Sequence, residues 1–129
     1  MMTLEELKQK MDAAGYVYDD TMATVLYVAL LLGRPLLIEG DAGVGKTEIA
    51  KVMASALGRE LVRLQCYEGL DESKALYEWN YQKQLLAIQV DQGREEKETL
   101  TRSLFSDEYL LERPLLKSIR SETPVVLLI

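Results

Sequence analysis

Residues 40–47 read GDAGVGKT. This satisfies G-x-x-x-x-G-K-[ST], a spacing whose residue types suit the holding of phosphate. Gly40, Gly43 and Gly45 admit backbone conformations that a side chain would block, so N–H groups can point into one concavity. That concavity and a helix N-terminus behind it both favour anions. Asp41, Ala42 and Val44 complete the turn. Lys46 supplies a compact cation for the β- and γ-phosphates, a place where the larger, planar Arg would fit poorly. The hydroxyl of Thr47 is a hard oxygen ligand for Mg²⁺. The candidate cofactor-binding set is therefore Gly40, Asp41, Ala42, Gly43, Val44, Gly45, Lys46, Thr47 and the adjoining Glu48, with Thr47 as the metal ligand.

Such a loop binds a nucleoside triphosphate but does not cleave one by itself. Cleavage also needs an acidic residue for Mg²⁺ and a group that orients the attacking water. Glu68, Asp71 and Asp107 fall in loops or helix caps, and nothing in the sequence places them beside the phosphates. No residue is assigned a catalytic role.

Other chemistry is narrowed by composition. The 129 residues contain no histidine and one cysteine, Cys66. A His/Cys metal site and an internal disulfide are both excluded within the chain. A net charge of -6 argues against a general affinity for nucleic acid or anionic lipid. The N-terminal MMTLEELKQKM lacks the pattern of a signal peptide, and the longest apolar run is too short to span a bilayer. A reducing, cytoplasmic setting is the expectation.

The elements that must position the loop can be read from the pattern. Thr3 with Glu6 forms a capping box ahead of Leu4, Leu7, Met11 and Ala14 at helical spacing, and Gly15 suits the stop. Asp19 or Asp20 caps a second helix that Gly33 and Pro35 terminate. Leu36, Leu37 and Ile38 read as a short buried strand leading into the loop. Residues 46–57 are strong helix formers that Gly58 terminates, and residues 60–65 alternate as a second strand. Strand, Gly-rich turn, helix and strand make a βαβ unit, which implies a parallel sheet. Beyond it the pattern predicts a long helix from Glu72 to about Val90 and an exposed turn over residues 91–99. A short helix from Ser106, another from Pro114 and a closing strand, PVVLLI, follow.

RPLLIEGDAGVGKTEIAKVMASALGRELVRLQCYEGLDESKALYEWNYQKQLL resembles the MoxR group of AAA+ ATPases, in particular the CoxD-like branch associated with carbon monoxide dehydrogenase maturation. LFSDEYLLERPLLKSI followed by PVVLLI is similar to the same branch, so the resemblance covers residues 15–129. Asp41 departs from it, since the family more often has Pro or a small residue there. The resemblance implies an α/β fold, the P-loop NTPase (AAA+) three-layer sandwich with a parallel sheet of order 5-1-4-3-2. It implies ATP and Mg²⁺ as cofactors and a homo-oligomeric, hexameric ring. It also implies a von Willebrand factor A domain partner and a metalloenzyme client that the ring remodels. In this family the strand resembling PVVLLI leads into an Asp-Glu pair, so the chain is expected to be the N-terminal part of a longer protein. Residues 1–34 would then be a helical linker region and residues 35–129 the first part of the ATPase domain, incomplete at the C-terminus. On the family order, a fourth strand absent from this sequence would separate the loop-bearing strand from that of Val125 to Ile129, leaving a gap in the sheet flanked by two unpaired strand edges.

The resemblance also places the linker along the nucleotide base, where Val17 or Tyr18 would contact adenine; simple packing on the core is the competing reading. YEWNYQ, residues 77–82, holds three aromatics within five residues. It reads either as a partner-contacting insertion or as core packing. Without interleaved basic residues, stacking on nucleic acid is the weaker reading. Cys66 reads as a buried small residue, and Arg113 as a solvated helix-cap charge or a contact between subunits. Two further functional classes stay open: a nucleotide-binding interaction module without turnover, and a small-molecule kinase built on the same loop.

Overall fold

The computed structural model describes residues 1–129, which divide into two compact units. The first comprises residues 1–62 with 123–128, and the second residues 63–122 with Ile129. No helix is long and apolar enough to cross a membrane.

In the first unit, α1 (Leu4–Ala13) begins at the capping box. The Thr3 hydroxyl accepts from the Glu6 amide at 3.2 Å, and the Glu6 carboxylate accepts from the Thr3 amide at 2.7 Å. α2 (Asp20–Leu32) starts at Asp19, whose carboxylate accepts from the Met22 amide at 2.7 Å, and ends at Gly33. α3 (Lys46–Leu57) follows the glycine-rich loop and ends at Gly58. These caps are where the sequence pattern puts them, because each is decided by atoms within one helical turn. The core joins Leu7 and Met11 of α1, Leu26 of α2, and Ile49, Val52, Met53 and Ala56 of α3. Leu7 and Met11 are fully buried.

β1 (Leu61–Arg63) and β4 (Val126–Leu128) form a two-stranded sheet, the parallel component of this mixed α/β fold. α3 packs against β4. Both strands are shorter than the alternation predicts. The larger difference concerns Leu36, Leu37 and Ile38. They belong to no sheet, and Leu37 is 83% exposed, although Ile38 packs on the core. A strand exists only when a second backbone accepts and donates its hydrogen bonds. Residues 36–38 are in neither sheet, and an apolar pattern by itself does not supply a pairing backbone.

The second unit corrects the pattern more strongly. The long helix predicted from Glu72 is interrupted. α4 (Glu72–Ala75) lasts one turn, β2 (Tyr77–Trp79) follows, and α5 (Tyr81–Asp91) restarts at Asn80, whose side chain accepts from the Lys83 amide at 3.1 Å. β2 pairs antiparallel with β3 (Leu110–Glu112), with Tyr77 opposite Glu112, Glu78 opposite Leu111 and Trp79 opposite Leu110. The partner strand lies some thirty residues downstream in sequence, so helical propensity over residues 72–90 loses to tertiary pairing. Tyr, Glu and Trp alternate across the resulting sheet.

α6 (Lys97–Leu104) begins within the stretch read as an exposed turn. Asp107–Tyr109, expected as a helix, is a single 3₁₀ turn. α7 (Pro114–Arg120) carries Pro at its first turn, as predicted. Gln84 is buried, and its Nε2 donates to the Leu104 carbonyl at 2.6 Å, which ties α5 to the end of α6. Arg113 Nη2 reaches Glu78 Oε2 at 2.8 Å, an ion pair within this unit where the sequence suggests a solvated cap charge or a contact between subunits. Cys66 is exposed, not buried, because the loop after β1 carries it outward.

Candidate nucleotide-binding site

The loop of residues 40–47 joins the unpaired segment 36–38 to the N-terminus of α3. Gly45 is the helix N-cap, with φ +88° and no side chain to cap the helix. Gly43 has φ +85°. Both lie in the left-handed region that L side chains avoid, so the path of the loop depends on glycine at these two positions.

The consequence is a set of amides without internal acceptors. The N–H groups of Gly43, Gly45, Lys46 and Thr47 donate to no backbone carbonyl, whereas Val44 donates weakly to Asp41 at 3.4 Å and Glu48 to Gly45 at 3.1 Å. A helix begins here with its orphan donors unfilled, where the helix dipole also favours negative charge. Asp41, Ala42, Gly43, Val44, Thr47 and Glu48 are exposed, while Gly45 and Lys46 are half-buried. The donors therefore stand open to an incoming anion.

Lys46 folds back over the loop, and its Nζ donates to the Gly40 carbonyl. Gly40 is exposed, and a Cβ there would press on Val44 Cγ2 at 3.0 Å and make ordinary contact with Lys46 Cδ at 3.8 Å. Glu48 is engaged by Lys51, at 2.8 Å across one helical turn. The donor set suits a nucleotide phosphate: open amides, a compact ammonium and, on Thr47, one hydroxyl for a divalent cation.

The linker residues are arranged differently from one another. Val17 is 93% exposed. Tyr18 packs against the core and donates its hydroxyl to the Lys8 carbonyl at 3.1 Å. Its ring stacks with Tyr16, centroids 6.4 Å apart at 14°. Burial pushes the Tyr16 phenol pKa up, and the charge of Glu48 adds to the shift. Tyr16 is thus the linker side chain that feels the first turn of α3. It was not singled out from sequence, where its only signal is its place beside Val17.

A family model described as AAA domain (dynein-related subfamily) matches residues 35–104. The Lon protease of Elusimicrobium minutum is 38% identical over 81 residues, which cover 57% of this chain and 10% of that protein. The chain thus spans about a tenth of the length of that curated relative. No solved structure matches the chain significantly. An AAA domain implies the P-loop NTPase fold and nucleotide binding, typically with Mg²⁺, and AAA+ proteins commonly form oligomeric rings. The matched segment takes in the phosphate-type loop, α3 and β1, and runs over more than half of the sequence; the chain belongs to the AAA domain family, dynein-related subfamily.

Proposed function

We propose that this chain binds ATP with Mg²⁺ through residues 40–48, as the nucleotide-binding portion of a MoxR-type AAA+ ATPase. The observation that carries the reading is the glycine-rich loop itself. The amides of Gly43, Gly45, Lys46 and Thr47 donate to no backbone carbonyl at a helix N-terminus, and the Lys46 ammonium reaches back to Gly40 in the same loop. In this reading the amides and Lys46 hold the β- and γ-phosphates, and Thr47 holds the metal. Val17 or Tyr18 contacts the base in this reading, and Val17, 93% exposed, is the freer of the two. Residues 1–34 lead in, and residues 35–129 belong to the ATPase domain. ATP hydrolysis in the assembled ring would drive remodelling or maturation of a client metalloenzyme with a von Willebrand factor A domain partner, in the cytoplasm. The similarity of the quoted segments to the CoxD-like branch supports that finer part.

Calorimetric titration of the chain with ATP and Mg²⁺, alongside Lys46→Ala, tests the binding step. Saturable binding that Lys46→Ala abolishes or strongly weakens supports the proposal. Equal heats from the two proteins overturn it. Phosphate release in the same samples separates an ATPase from a module that binds without turnover.

A further inference from the structure

YEWNYQ takes no part in the nucleotide site. The structure sets its rings around a groove of about 440 Å³ formed by α4, β2 and the first turn of α5. The groove is open to solvent along one side. Tyr77, Trp79 and Tyr81 line it, together with Asp71, Glu72 and Glu78. No lysine or arginine does.

The rings are held in place. Tyr77 and Trp79 lie two apart on β2 and meet edge to face, centroids 6.1 Å apart at 75°. Trp79 is braced by Phe105 at 5.2 Å and 89°. Tyr77 is 44% and Tyr81 60% exposed, so aromatic surface stays available.

The carboxylates are not equivalent. Glu78 is neutralised by Arg113 at 2.8 Å. Asp71 accepts from the Ser73 hydroxyl at 2.7 Å and the Lys74 amide at 3.2 Å. The Ser73 hydrogen bond, chiefly, holds its pKa below the ordinary value and keeps it charged. The Lys74 ammonium comes no nearer to Asp71 than 4.0 Å and leans over the Tyr67 ring at 5.9 Å. Glu72 adds a second carboxylate on the first turn of α4. The groove therefore presents negative charge beside aromatic rings, which attracts a cation on both counts. Phosphate backbones would be repelled by the same carboxylates.

We propose that this groove docks a lysine or arginine side chain from a basic segment of a partner protein. The inference stands apart from nucleotide binding, since none of these residues belongs to the loop of residues 40–48.

Trp79 is the single tryptophan, so its emission reports on the groove directly. The complete chain is titrated with a short Lys/Ser peptide, with an Asp/Ser peptide and with a single-stranded oligonucleotide. A saturable change in Trp79 emission is expected with the Lys/Ser peptide alone. The Asp71→Asn/Glu72→Gln variant, in which Asn retains the helix cap, is expected to weaken that binding about tenfold. Glu95→Gln/Glu98→Gln makes the same change in net charge elsewhere and is expected to leave affinity within about twofold. No emission change, or equal losses in the two double variants, overturns the proposal. So does a comparable response to the Asp/Ser peptide or the oligonucleotide. If far-UV circular dichroism shows that Asp71→Asn/Glu72→Gln has not folded, Tyr81→Leu takes its place. A similar loss of affinity is then expected, and full affinity overturns the proposal.

Discussion

The Lys46 ammonium donates to the Gly40 carbonyl, so the first glycine of the loop and its lysine close on each other across the intervening turn. This contact fixes the ammonium at the start of the loop, whose Gly43, Gly45 and Thr47 amides donate to no backbone carbonyl. A lysine already drawn to its place loses less conformational entropy when phosphate arrives.

Lys46→Ala is expected to weaken ATP binding by about tenfold to a hundredfold, the equivalent of a charge-assisted hydrogen bond of ~1.5–3 kcal/mol. Thermal unfolding should be almost unchanged, since the side chain bonds only to an exposed loop carbonyl. Calorimetry and a melting curve on the same sample check both halves.

Gly45→Ala is expected to destabilise the loop by about 1–2 kcal/mol, because the residue sits at φ +88°. No atom lies within 4 Å of the site a Cβ would occupy, so the cost is one of backbone conformation and not of collision. Denaturant unfolding measures it, and weaker ATP binding should accompany it.

Leu7→Ala is expected to cost about 2–5 kcal/mol, as Leu7 is completely buried between helices. Leu37→Ala should change stability by no more than about 0.5 kcal/mol, as Leu37 is 83% exposed. The pair separates real burial from apolar sequence pattern, and urea midpoints report it. A large loss for Leu37→Ala would show that residues 36–38 are covered in solution.

The capping box predicts a pH effect at α1. Bonding to the Thr3 amide, first among the causes, holds the Glu6 pKa below its ordinary 4.5. A depressed carboxylate stabilises the fold above its unfolded pKa, and this stability is lost as pH falls through the lowered folded value. Helicity of α1 should therefore decline in acid below about pH 4.5, and Glu6→Gln should flatten that part of the profile. Amide exchange of Glu6 and Leu7 measured against pH tests this.

Local features were legible because their causes are local. The Thr3–Glu6 box, the Asp19 cap, the ends of α2 and α3 at Gly33 and Gly58, and the phosphate-type loop all follow from atoms a few positions apart. The βαβ reading of residues 36–65 was legible in its loop, helix and second strand. Its first strand was not settled, because whether 36–38 becomes a strand depends on a neighbour that its own residues do not specify.

What sequence alone determined, then, was a glycine-rich loop opening a helix over residues 40–48 and the helices that frame it, because the causes of each lie within a few positions. Tertiary structure decided the rest. It turned Tyr77–Trp79 from expected helix into a strand, because Leu110–Glu112 offers it hydrogen-bond partners at long range. It gave Arg113 to Glu78, and it placed Tyr16, unmarked in sequence, within reach of the charge of Glu48. Pairing between distant backbones and between distant charges is a property of proximity in space, and no local pattern encodes it.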